Sequence, residues 1–322
     1  PAEHFVKAVN FKGDLWGLFE EDFNASEITS LFARKFGNSS DDWTGGGAVE
    51  NGADNGTGTR GFDMVVHKDK LYVVANDASG QETRYTVNSS ADGASWGDVS
   101  GTNFPDGSSD NYMGYGLHAG TETEKTNVYN DENAKLLDFG TALIMAIWKD
   151  PTSSNGDGTI SIYSTADAGT NWVSDVAIAS GNGPKALVDW YDLSGARSVV
   201  LVTAEGVYSV SISGNSYNLM YSLDSNPNNG RRSVVGPDGA LYVGLGSGDV
   251  IRLAISTSGI LEVMTVGPPG DGLVASRQGY ATCMLATPSE FLLVGYGGSA
   301  ADKYASIFMI DTSVVLQDEE TG

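Results

Sequence analysis

One stretch of the sequence carries residue types that ligate metals. SSNGDGTIS, residues 153–161, places Ser153, Asn155 and Asp157 at alternate positions, as in the first half of a calcium loop. The bidentate glutamate required at the twelfth position is missing, because Ser164 stands there. A hairpin turn between two strands is the preferred interpretation. No cofactor is therefore predicted, and Ca²⁺ held by Asn155 and Asp157 is the alternative.

A second candidate is a long segment rich in aromatic residues. Residues 101–133 form the largest interruption in the pattern of apolar runs described below. Loops of this length in compact domains are functional or disordered, and aromatic and methionine side chains are enriched at contact surfaces. We predict partner contacts here, with an ordered cap over the fold as the alternative. The predicted contact residues are Tyr112, Met113, Tyr115 and Tyr129.

Other reactive side chains are sparse. The lone Cys283 lies in the apolar run YATCMLA, which predicts a buried, inert thiol that forms no internal disulfide. The three histidines, at positions 4, 67 and 118, have no metal-ligand spacing. Neither residue type therefore predicts a catalytic or metal site.

The charge balance limits the classes of partner. Lysine and arginine total 18 against 41 aspartates and glutamates, a formal net charge of −23. Such a surface repels phosphate backbones and anionic lipids, so no nucleic-acid partner is predicted. No apolar run reaches the ~20 residues that span a bilayer, so no membrane insertion is predicted, and no signal peptide is visible. A location in a virion or outside the cell is expected.

The elements that must position these residues are short strands. Apolar runs such as LYVVA at Leu71 and LYVGL at Leu241 recur, each preceded by another apolar run and a turn, and followed by an alternating strand. NASEITSLFARKF is the one stretch with an arguable helical pattern, and its place in the repeat favours a strand. We predict a single domain over 1–322 with six units, roughly 1–50, 51–100, 134–180, 184–225, 230–267 and 277–320.

This repeat predicts an all-β fold, a six-bladed β-propeller of four-stranded antiparallel blades. One four-stranded unit cannot bury both of its faces alone, whereas six arranged radially can. The second strand of each unit is almost wholly apolar, as expected for a strand that packs against neighbouring blades on both faces.

The turns between third and fourth strands carry a recurring pattern. In STADAGTNW the third unit places Asp167, Gly169 and Trp172 in a fixed spacing, and the second unit has Asp92, Gly93 and Trp96 in NSSADGASW. This resembles the Asp-box, the S-x-D-x-G-x-T-W turn of sialidases and related BNR-repeat propellers. The aspartate is expected to accept backbone N–H groups of its own turn, and the glycine to take a positive φ. The tryptophan is expected to be buried within its own blade.

The resemblance implies a structural turn, and for sialidases also a catalytic site. That site needs three arginines around a carboxylate, a tyrosine nucleophile with a glutamate partner, and an aspartate acid/base. The first strand, where the first arginine is expected, has Lys7 instead. The best remaining set is Arg60, Arg232, Arg277, Tyr280 and Glu205.

Two classes of function remain open. The first is a non-catalytic binding or assembly propeller, including a phage tail or capsid-associated protein that contacts another structural protein or a surface glycan. The second is a sialidase-like glycoside hydrolase with a diverged site. Because no catalytic constellation stands out, the binding module is preferred and no catalytic residue is assigned.

Overall fold

The computed structural model shows a chain built almost entirely of β-strands. It describes residues 2–24, 27–37, 43–44, 46–50, 61–77, 84–99, 104, 133–149, 158–167, 169, 171–212, 214–224, 226, 229–230, 232–256, 258–267, 281–296 and 306–313. Apart from Thr312 and Ser313, which are helical, the secondary-structure elements within these residues are strands. No helix among them is long and apolar enough to cross a membrane.

The strands form six antiparallel sheets in chain order. The first contains β1 (Ala2–Phe11), β2 (Asp14–Asn24), β3 (Glu27–Phe36), β4 (Trp43–Thr44) and β5 (Ala48–Glu50). The second contains β6 (Gly61–His67), β7 (Lys70–Asp77), β8 (Arg84–Ser90) and β9 (Gly97–Asp98). The third contains β10 (Ala134–Asp138), β11 (Leu143–Lys149), β12 (Thr159–Thr165) and β13 (Val173–Ala179).

The other three sheets repeat this order. The fourth contains β14 (Ala186–Tyr191), β15 (Arg197–Val202), β16 (Gly206–Ser211) and β17 (Ser216–Ser222). The fifth contains β18 (Ser233–Val235), β19 (Leu241–Gly244), β20 (Val250–Ile255) and β21 (Leu261–Gly267). The sixth contains β22 (Ala281–Ala286), β23 (Phe291–Tyr296) and β24 (Ser306–Asp311). Its fourth strand, expected in SVVLQDE (313–319), falls outside the described residues except for Ser313.

These sheets are the blades of a six-bladed β-propeller, which confirms the predicted fold class. Neighbouring strands in each sheet are consecutive in sequence, apart from β5, which pairs with β3 and not with β4. The ambiguous stretch 27–36 is strand β3, as its place in the repeat predicts. The chain divides into two compact units, Pro1–Gly183 and Pro184–Gly322, with three sheets in each. The single-domain boundary 1–322 stays a prediction.

Within each unit, consecutive sheets pack face to face through their second strands. Alternate residues of β7 enter two different clusters: Leu71 and Val73 pack with the first sheet, and Tyr72 and Val74 pack with the third. In the other unit, β19 is divided in the same way between the fourth and sixth sheets. All of these β7 residues are fully buried, which is why the second strands lack polar alternation.

One prediction about the core is wrong. Cys283 is exposed on β22, not buried. Strand alternation explains this, since Met284 packs against the core shared with the fifth sheet and its neighbours point the other way. On that opposite side Leu285 is 61% exposed.

Candidate functional site

The turn between β8 and β9 is closed by its own side chains. Asp92 accepts hydrogen bonds through Oδ1 from the backbone N–H groups of Ala94 and Ser95, at 2.9 and 2.8 Å, and from the Ser90 hydroxyl. These bonds, with Ser95 the largest cause, hold the pKa of Asp92 below its ordinary value. Gly93 has φ +76°, which a residue with a side chain rarely adopts.

The turn between β12 and β13 has the same plan. The Asp167 carboxylate accepts a hydrogen bond from the backbone N–H of Asn171 at 2.9 Å. It also accepts hydrogen bonds from the Asn171 side-chain amide and from the Thr165 hydroxyl. These contacts lower the pKa of Asp167 to about 2. Gly169 has φ +100°. Both turns have the hydrogen bonding expected of their aspartate and glycine, while their assignment to the Asp-box family stays a prediction.

The two tryptophans differ from the expectation. Trp172 is 1% exposed, as predicted, but it packs in the cluster shared by the second and third sheets. Its indole N–H donates to the Val99 carbonyl at 3.3 Å, and its ring meets Phe104 edge to face at 5.6 Å. Trp96 is only partly buried, and its N–H donates to Gly93 O within its own turn. The expected packing within a single blade is therefore wrong for both: Trp172 packs in the cluster shared by the second and third sheets, and Trp96 packs against the cluster shared by the first and second sheets.

A lysine at positive φ ties each turn to the preceding sheet. Lys12, in the β1–β2 turn, donates to Ala91 O at 2.6 Å. Lys68, in the β6–β7 turn, donates to Ala166 O at 2.8 Å. The first sheet thereby holds the Asp-containing turn of the second, and the second sheet holds that of the third.

The first of these junctions leaves a cavity of about 310 Å³. Aromatic side chains form its base, with Phe11 2% and Trp16 7% exposed. The described residues that line the cavity are Phe11, Lys12, Asp14, Trp16, Lys35, Gly46 and Asp92. Gly93 packs directly on the Trp16 ring, since a Cβ built at Gly93 would lie 2.1 Å from that ring. The closed turn is therefore a wall of the cavity.

Charged groups of both signs surround the mouth of the cavity. The Lys35 ammonium pairs with Asp14 Oδ2 at 2.6 Å, and both side chains are more than 40% exposed. The Lys12 ammonium lies 4.9 Å from the Phe11 ring centroid. Asp92 adds a second carboxylate, and the hydrogen bonds it accepts use Oδ1. The cavity is thus a mixed polar and aromatic site suited to ligand contact.

Lys7 does not stand free for substrate. Its ammonium pairs with Asp63 on β6, and Asp63 is 4% exposed. The other Asp63 oxygen accepts the Leu136 N–H of β10 at 2.8 Å. This carboxylate therefore ties the first strands of three sheets together. The position where the sialidase resemblance requires an arginine has a structural role.

Two further titratable groups are buried in the first unit. His67 is fully buried, and its Nδ1 lies 2.8 Å from Asp138 Oδ1, which joins the second and third sheets. Burial raises the pKa of Asp175 on β13, although a Ser164 hydrogen bond opposes the shift. No cluster among the described residues has the His, Cys, Asp or Glu side chains that would hold a metal ion.

Many predicted site residues fall outside the described residues. These are the contact residues Tyr112, Met113, Tyr115 and Tyr129, the calcium candidates Asn155 and Asp157, and Arg60, Arg277 and Tyr280 of the sialidase-like set. Arg232 and Glu205 are described, the former just before β18 and the latter between β15 and β16. The predicted contact, calcium and sialidase-like sites therefore stay predictions.

Sequence reasoning missed most of the cavity. The signal was present in FKGDLW, where Phe11 and Trp16 flank a tight turn. Nothing in that stretch indicates that Asp92 is its neighbour, because the two are joined only by packing between sheets. A search for aromatic residues beside each hairpin turn would have selected Phe11 and Trp16.

Comparisons with known proteins bear on the fold. No protein-family model matches the sequence, and no curated protein matches it. Solved structures do match. An α-L-arabinanase of Penicillium chrysogenum, complexed with arabinobiose, is 15% identical with TM-score 0.50, over 95% of this chain and 92% of the other. YCF48 bound to D1 peptide is 14% identical with TM-score 0.52, over 95% of this chain and 77% of YCF48. A Dyadobacter fermentans protein of unknown function is 13% identical with TM-score 0.53, over 96% of this chain and 93% of the other. At these identities the likeness concerns the propeller fold alone.

Proposed function

We propose that the chain is a non-catalytic binding propeller whose partner is a glycan or another protein. The observation that carries the proposal is the cavity between the first and second sheets, with its aromatic base and charged rim. Glycoside hydrolysis outside the sialidase type, whose nucleophile is a tyrosine, requires a carboxylic acid with a raised pKa beside a second carboxylate. Hydrogen bonds shift the pKa of Asp92 in the opposite direction, and Asp14 is paired with Lys35. These features suit holding a ligand more than proton transfer.

Both classes of partner stay within the proposal. Among propellers of similar fold, one is complexed with arabinobiose and another is bound to a peptide. The finer proposal is a phage virion protein that contacts another structural protein or a host-surface glycan, in a virion or outside the cell. Its support is the sequence alone: the net charge of −23 and the aromatic residues of segment 101–133.

We also propose that the chain belongs to the sialidase-like Asp-box superfamily of propellers. The support is the matching hydrogen bonding of the turns at Asp92 and Asp167, each followed by a glycine at positive φ. Loss of the catalytic site within this superfamily agrees with the ion pair between Lys7 and the buried Asp63. A diverged hydrolase is the competing function.

The test measures binding and hydrolysis on the same preparation. The purified full chain is applied to a glycan array and, separately, incubated with linear arabinan and with a fluorogenic sialoside. We expect retention on a defined set of glycans and no release of sugar or fluorophore. Release of the sialoside fluorophore that Arg277→Ala abolishes would instead establish the hydrolase. The control variant is Arg197→Ala, since Arg197 pairs with Asp189 on the fourth sheet.

A further inference from the structure

We infer that the cavity beside the Asp92 turn binds a neutral sugar ring. This inference rests on the binding function proposed above and specifies its ligand. The cavity lies where the β1–β2 turn and the end of β3 face the Asp-containing turn of the second sheet. Its volume of about 310 Å³ is at the lower end of the range for small-molecule sites, about 300–1,000 Å³. The space therefore suits one or two sugar rings, not a wide polymer groove.

Donors and acceptors are both present at the rim. The Lys12 ammonium has three N–H donors, and its described hydrogen bond goes to Ala91 O. Lys35 meets Asp14 through Oδ2, which leaves Asp14 Oδ1 outside that contact. The hydrogen bonds that Asp92 accepts likewise use Oδ1 and not Oδ2. Ammonium donors and carboxylate acceptors thus stand around one opening.

The charge of this rim favours hydroxyl groups over ions. Two lysines and two aspartates contribute a net charge of zero, so neither an anion nor a cation meets an unopposed field. A hydroxyl group both donates and accepts a hydrogen bond, which matches carboxylate and ammonium groups placed side by side. A sugar offers several such hydroxyls in a fixed arrangement.

Phe11 and Trp16 line the cavity and offer a small apolar contact to the C–H groups of a sugar. Phe11 and Trp16 pack edge to face, with centroids 6.2 Å apart. Because Gly93 covers part of Trp16 and both rings are more than nine-tenths buried, the aromatic base is preformed and small. A rigid base of this kind loses little conformational entropy when a ligand binds.

Saturation-transfer difference NMR on the full chain tests the inference. The probes are neutral methyl glycosides of glucose, galactose, mannose and arabinose, compared with glucuronate and glucosamine as charged sugars. We expect saturation of at least one neutral glycoside, strongest at its ring C–H protons. The double variant Asp14→Ala/Lys35→Ala should reduce this signal at least fivefold. The matched control is Asp189→Ala/Arg197→Ala, which removes another exposed ion pair on the fourth sheet and should leave the signal unchanged.

Circular dichroism of each variant establishes that a lost signal is not lost folding. The inference is overturned if no neutral glycoside is saturated, if a charged sugar gives the strongest signal, or if the Asp14/Lys35 variant binds as well as the wild type. Retention on the glycan array with any of these outcomes would leave the binding function standing and remove only the cavity as its neutral-sugar site. Hydrolysis of a sugar substrate would overturn the proposed function without affecting the NMR result.

Discussion

Replacing Trp172 by alanine tests whether the Asp-containing turn joins two blades. The side chain is 1% exposed, lies against Phe104 and donates to Val99 O. Truncating a buried large aromatic residue costs about 3–5 kcal/mol. We place Trp172→Ala at the upper end, about 4–5 kcal/mol, because an edge-to-face aromatic contact and a hydrogen bond are lost with the buried area.

Trp96→Ala is the matched control at the equivalent position of the neighbouring sheet. Trp96 is partly buried, and its N–H bonds to Gly93 within the same turn. We expect a loss of about 1–2 kcal/mol, in the ordinary range for a point mutation. Trp172→Phe separates the hydrogen bond of Trp172 from its aromatic packing, since it keeps most of the buried ring and loses the N–H. We expect this variant to lose about 0.5–1.5 kcal/mol of unfolding free energy.

The assay is equilibrium unfolding in urea followed by far-UV circular dichroism, because each substitution removes a fluorophore. The free energy of unfolding is obtained from the midpoint and slope of each transition. A loss below about 1 kcal/mol for Trp172→Ala would refute the reasoning, since a cost that small fits a surface residue. A Trp96→Ala cost equal to or greater than that of Trp172→Ala would refute it as well.

Three further predictions concern other contacts. Gly93→Ala should lower the free energy of unfolding in urea by about 2–4 kcal/mol, because the new Cβ is strained at positive φ and overlaps the Trp16 ring. The control is Gly97→Ala, whose Cβ would have no atom within 4 Å and which should change the free energy of unfolding little. Arg252 Nε lies 2.8 Å from Asp238 Oδ2, and the two side chains are 4% and 2% exposed. Arg252→Met should therefore cost about 3–5 kcal/mol by the same assay, because it leaves the Asp238 carboxylate as an uncompensated buried charge. A cost near zero would refute this prediction. Asp167 has a pKa of about 2, below its unfolded value, so its contribution is present above about pH 4 and lost as pH falls toward 2. The melting temperature of Asp167→Asn should lie below that of the wild type at pH 6 and converge with it near pH 2; a constant difference would contradict the assignment.

The sequence by itself determined the local structure. The spacing of apolar runs predicted the order of strands, because alternation and continuous burial leave different patterns in the residues themselves. The turns at Asp92 and Asp167 were equally predictable, since their hydrogen bonds join residues at most four positions apart. The net charge of −23 by itself disfavours nucleic-acid and anionic-lipid partners.

Only the tertiary structure decided which residues of different sheets meet. Alternation assigns a side chain to one face of a strand, but it does not say which residue of the neighbouring sheet stands opposite. The ion pair of Lys7 with Asp63, the bond from Trp172 to Val99 and the cavity between Phe11 and Asp92 each join residues more than 50 positions apart. The exposure of Cys283 likewise depends on what covers its side of β22. Such contacts follow from the packing of whole sheets, which no short stretch of sequence records.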